Sequence, residues 1–125
     1  MNRTRIIGAL EAEWTAIDAL AASLTPAQWA LPSPLPGWDV RANVAHVAGA
    51  ELMLLGHTPP NSIDVTGLDH VRNPIGAANE AWIASFAESP IDELVSEFRH
   101  ATSERLAALR AMSDEEWDAV GFTPA

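Results

Sequence analysis

No cysteine occurs in the 125 residues. A chain without thiols forms no disulfide, offers no thiolate nucleophile and builds no cysteine-ligated metal site. Lysine is absent too: all 7 basic residues are arginine, set against 17 Asp plus Glu, for a net charge of −10. The missing lysine, beside abundant alanine, reads as high-GC codon bias and carries no chemistry. The arginines form no basic stripe, so the phosphate neutralisation that supplies most nucleic-acid affinity is missing. An anionic membrane surface would repel so acidic a chain. There is no uninterrupted apolar run of about 18 residues, as a membrane span requires. Glu11 and Glu13 interrupt the patch after Arg3 and Arg5 too early for a secretory signal. The expected compartment is the cytoplasm, with neither nucleic acid nor membrane as a partner. Period-two alternation does not persist over six residues anywhere, which argues against a sheet.

What remains is helical. With 48% apolar and 19% charged residues, residues 1–125 read as one small globular domain with a single core. Ile7, Leu10, Trp14, Ile17, Ala21 and Leu24 recur at spacings of three and four, one stripe of a long helix over residues 4–24. Thr25-Pro26-Ala27-Gln28 is a capping box with proline at the first helical position, opening a short turn that holds Trp29. The alternating prolines of Leu31-Pro32-Ser33-Pro34-Leu35-Pro36-Gly37 force an extended connector. Asp39 is an N-cap for a helix from about Val40 to Leu55, stopped by Gly56. Residues 57–73, with Pro59-Pro60 and two histidines, make a connection long enough to cross a bundle or serve a site. Asn73-Pro74 opens a helix carrying Ala78, Trp82, Ile83 and Phe86. Ser89-Pro90 ends it and caps another, striped by Ile91, Leu94, Val95, Phe98, Ala101, Leu106 and Leu109. Ser113 to Glu116 is a second capping box, leading into Trp117. The fold class is all-α, a helical bundle.

The helix over residues 40–55 holds the candidates for chemistry. Its polar side chains are Arg41, Asn43, His46 and Glu51. At about 100° per residue, Glu51 falls within the arc of Val40, Val44, Val47, Leu54 and Leu55, and His46 lies about 140° away. A carboxylate in that arc is costly unless paired, so an arginine from another helix is expected beside Glu51. His46 is flanked by Asn43, Ala42, Ala50 and Met53, small enough neighbours to admit a metal or ligand. The alternative is a packed core histidine. His57 follows the helix stop, where the macrodipole favours a cation. His70 is expected as a solvated loop residue, although it has the reach to join a site. His100, with Glu93, Glu97 and Glu104 at helical spacing, reads as a solvated charge network. H-E-x-x-H, Gly-rich phosphate loops and G-x-S-x-G are all missing.

Leu24-Thr25-Pro26-Ala27-Gln28-Trp29, Leu35-Pro36-Gly37-Trp38-Asp39-Val40-Arg41 and Ala45-His46-Val47-Ala48 with Glu51 resemble the DinB-like superfamily. More narrowly, they resemble the N-terminal metal-binding domain of mycothiol-dependent maleylpyruvate isomerase. Arg72-Asn73-Pro74-Ile75-Gly76, Asn79-Glu80 and Gly121-Phe122-Thr123-Pro124 extend the likeness over most of the chain. The resemblance implies a DinB-like bundle with a long crossover between its second and third long helices. It also implies a divalent metal, expected to be zinc, with His46 as one ligand and Asn43 as a residue orienting it. Mycothiol would be the cofactor, and a small thiol and a small electrophilic substrate the partners, in isomerisation or thiol transfer. The other two ligands would form an acidic-or-His-x-x-x-His pair on the last helix, and the sequence reaches Ala125 where that helix is expected. Glu104 and His100 run in the reverse order. The domain is therefore expected to be incomplete at its C-terminus: a fragment, a shortened relative, or a chain completed by another subunit as a homo-oligomer. The alternative function is a non-catalytic helical interaction module that has lost the metal site.

Overall fold

A computed structural model describes residues 2–119 and 121. Its elements are α1 (Arg3–Ser23), α2 (Pro26–Trp29), α3 (Val40–Leu54), α4 (Pro74–Phe86), α5 (Ile91–Ala111) and α6 (Asp114–Asp118). No strand occurs among the described residues; a single bridge pairs Pro32 with Asp39. The all-α expectation holds, and so does the long crossover, which runs between α3 and α4. No helix among the described residues is long and apolar enough to cross a membrane.

Local chemistry sets the helix ends. The side chains of Thr25, Asp39, Asn73 and Ser113 each accept a backbone N–H in the first turn of α2, α3, α4 and α6, and the first and last complete reciprocal capping boxes with Gln28 and Glu116. At the end of α3, Gly56 takes φ +95°. There His57 N–H reaches Leu52 O and Gly56 N–H reaches Met53 O, both at 3.0 Å. This is the left-handed termination that glycine permits. At α5 the expectation is corrected. Pro90 occupies the N-cap with no side-chain hydrogen bond, and Ser89 does not cap. The start is set instead by proline's fixed φ and by Asp92 and Glu93 in the positive first turn.

Two arginines close helix C-termini from a distance. Arg41 of α3 donates to the carbonyls of Phe86 and Ser89 at the end of α4. Arg3 of α1 donates to Leu109, Arg110 and Met112 at the end of α5 and lies 5.3 Å over the Trp117 ring. Each guanidinium satisfies orphan carbonyls at the negative end of a dipole. Each also ties a short surface segment to a long helix.

α3 is the spine, packing on α2, α4 and α5, while α1 packs on α5. Its deepest face differs from the expected aliphatic arc. Ala42, Ala45, Ala48, Gly49 and Leu52 are buried, whereas Leu54 is 39% exposed and Val40 and Val47 are half-buried. Because α2, α4 and α5 all press on α3, small residues make up most of that buried face, joined by Leu52 and by Val44 of the expected arc. Phe98 and Leu94 of α5 fill the centre, fully buried. Glu51 has the expected partner: Arg105 Nε lies 2.9 Å from its carboxylate, with both side chains 14% exposed. His100 and Glu104 form an exposed pair at 3.2 Å, as expected of a solvated network.

The tightest contact is between α3 and α4. A Cβ on Gly49 would stand 2.5 Å from Trp82 Cγ and 2.6 Å from Trp82 Cβ. Gly49→Ala should therefore destabilise the protein by about 1–2 kcal/mol, since overpacking costs roughly 1–3 kcal/mol and the gain in helix propensity returns at most about 1 kcal/mol. Urea denaturation followed by tryptophan fluorescence should show a lowered midpoint; an unchanged or raised one would contradict this packing.

Candidate functional site

Three segments meet beside the N-terminal half of α4. The first is the connector before α3. Trp38 N–H bonds Leu35 O at 3.1 Å, closing a turn with Pro36 and Gly37 at its centre. Gly37 takes φ +76° there, as the third position of a type II turn requires. Ser33 N–H to Trp38 O and Val40 N–H to Leu31 O close the base of the loop. The second segment is the crossover, which brings His70 against the turn. The third is α4 itself, carrying Asn79 and Glu80.

Glu80 joins them. It is 8% exposed, unusual for a carboxylate. Its Oε1 accepts from Trp38 Nε1 at 2.8 Å and pairs with His70 Nε2 at 2.5 Å. Its Oε2 has no hydrogen bond among the described residues. Burial of a carboxylate at that depth is offset where partners converge on it, and Trp38 and His70 both do. Around it lies a cavity of about 220 Å³, walled by Leu35, Pro36, Trp38 and Val71 and polar at His70, Asn79 and Glu80. The size and the mix of apolar wall with few polar groups suit part of a small molecule.

His46 stands behind this pocket. The Trp38 ring, whose N–H is held by Glu80, lies 5.0 Å from the His46 ring at 43°. His46 Nδ1 is buried without a partner. Burial pushes the His46 pKa below its ordinary value of 6.5, and a hydrogen bond with the Asn79 side chain partly opposes that. The ring is thus held neutral, with a lone pair available. Asn43 turns elsewhere: its amide donates to Ser33 Oγ at 3.1 Å and Asp39 O at 2.9 Å, fastening the connector to α3.

His70 is exposed, as expected of the crossover, and its reach is used: its side chain, 30% exposed, is tied to Glu80. Glu80 itself was outside the expected stripe on α4, and its place between Asn79 and the core residues Ala81 and Trp82 was the available signal. His57 is exposed and contributes its backbone N–H to the helix stop. No group of three or more His, Cys, Asp or Glu able to hold a metal ion occurs among the described residues.

These features define a helical domain with a pocket on its flank and a buried imidazole beside it. Residues 10–125 match the family described as the mycothiol maleylpyruvate isomerase N-terminal domain, and the chain belongs to that family. No curated protein and no solved structure matches it.

A buried neutral histidine links stability to pH. The unfolded chain, with an ordinary His46, binds more protons than the folded one once pH falls below about 6.5. The contribution of His46 should be fully present above that pH and decline as pH drops from it to the lowered folded value. Comparison with His46→Gln in denaturation curves from pH 7.5 downward should show a shallower loss in the variant; parallel curves would contradict a desolvated His46.

Proposed function

We propose that this domain serves a mycothiol-dependent reaction of the isomerisation or thiol-transfer type, and that His46 is the donor it contributes to a divalent ion such as zinc. Family membership supports the cofactor class. The observation that carries the role of His46 is its unpartnered, buried Nδ1 on a ring that burial keeps neutral, the protonation state a metal requires. The donor set is incomplete. A protein-bound zinc takes at least three side-chain donors, and the described residues bring one. They therefore do not fit the ion by themselves. An ion at His46 would take its other donors from a second copy of the chain or from outside the described residues. Asn43 is proposed to act at one remove, by fixing the connector that carries Trp38 against the His46 ring.

The missing donors favour a second reading: a helical interaction module in which His46 only packs. Metal content separates the two. Protein purified without chelators should carry about one divalent ion per His46 ring, lost in His46→Ala, and the ion should raise the thermal midpoint because it binds only the folded state. Metal-free wild-type protein whose midpoint ignores added zinc would overturn the metal reading and leave the module.

A further inference from the structure

The geometry points to His70 as a general base for a thiol, with Glu80 as its positioning residue, in the pocket beneath the Trp38 turn. This rests on the mycothiol reading above for the identity of the thiol. It does not use the ion at His46.

Glu80 is fixed on α4, 8% exposed, and anchored from the other side by the Trp38 N–H at 2.8 Å. It therefore cannot follow the imidazole; the imidazole is held to it, Nε2 to Oε1 at 2.5 Å. A carboxylate on Nε2 selects the tautomer with the proton there and leaves Nδ1 with the lone pair. Nδ1 has no partner among the described residues, and His70 lines the cavity of about 220 Å³. This is the logic of base and orienting carboxylate that activates weak nucleophiles in unrelated enzymes. The histidine is exposed enough to meet a ligand, and the carboxylate is buried enough to hold it.

The surroundings match the task. Of the residues lining the pocket, His70 and Glu80 are the titratable pair, and the walls from the connector are apolar. On its own segment the charged neighbours of His70 are Asp69, immediately before it, and Arg72, two residues after it, and both are exposed. An apolar wall would disfavour a thiolate left alone. Proton transfer inside an ion-paired site leaves the total charge unchanged: the S–H bond breaks, sulfur keeps the electron pair, and the proton goes to His70 Nδ1. The imidazolium so formed lies against Glu80, and the thiolate lies beside the imidazolium. The sequence has no cysteine, so the nucleophilic sulfur comes from outside the chain.

The test reads the ionisation of bound mycothiol by its ultraviolet thiolate absorbance across pH, with and without chelator, in wild type, His70→Gln and Glu80→Gln. The expected result is a midpoint at least about one unit below that of the free thiol, a tenfold gain in thiolate near neutral pH. It should survive chelator and be lost in His70→Gln. Glu80→Gln, which keeps an oxygen for the Trp38 N–H but removes the charge, should show a partial loss, a change in pH profile that a structural role would not produce. It also covers the case in which His70→Gln loosens the crossover. A shift that persists in both variants, or vanishes with chelator, overturns the role of His70 and leaves the cofactor reading standing. Failure of wild type to bind mycothiol overturns both.

Discussion

One buried carboxylate holds the irregular part of this protein to the regular part. Without Glu80, the Trp38 indole N–H and the His70 imidazole would both lose their partner; the crossover would keep only turn hydrogen bonds of its own, and the connector only those at the base of its loop and the Asn43–Ser33 bond. A buried donor or acceptor left unsatisfied costs roughly 1–3 kcal/mol. The pocket exists because both segments converge on that one oxygen. The position of the Trp38 ring against His46 depends on it as well.

The helical frame that presents Glu80 relies on close approach. α4 lies against α3 through Gly49, where Trp82 occupies the space of a side chain, and the small residues of α3 let α5 bring Phe98 and Leu94 to the centre. Arg41 and Arg3 then finish the far ends of α4 and α5. Arg41 matters for the site because it fixes α4, and hence Glu80, relative to the helix that bears His46. The frame and the site are thus one construction: Arg41 and His46 act through the same two helices.

Much of the frame was legible because its signals are local. A cap speaks to a backbone N–H two or three residues away, so Thr25, Asp39, Asn73 and Ser113 could be read directly, as could the stop at Gly56. Glu51 was legible in kind: a carboxylate in an apolar arc needs an arginine, and Arg105 supplies it. The candidate site was less legible. His70 and Glu80 are 10 residues apart across a helix start, and Trp38 and Glu80 are 42 apart; no periodicity links them. Ranking α3 by side-chain size also misplaced its deepest face, since the number of helices pressing on it is a tertiary fact. The likeness to mycothiol-dependent enzymes came from motifs, and the family match bears it out.

The domain's polar interior has two parts. His46 is a buried imidazole whose Nδ1 has no partner, and the described residues bring no further metal donors beside it. The His70–Glu80 pair is complete within the chain, and it is where the structure offers a ligand both space and chemistry. The most direct test is the protonation pattern of the His70 ring, read by nitrogen-15 and proton NMR at mildly alkaline pH. The account predicts a slowly exchanging Nε2 proton with Nδ1 unprotonated, a pattern that Glu80→Gln weakens. A ring protonated on Nδ1, or one averaging between tautomers as a free histidine does, would contradict it.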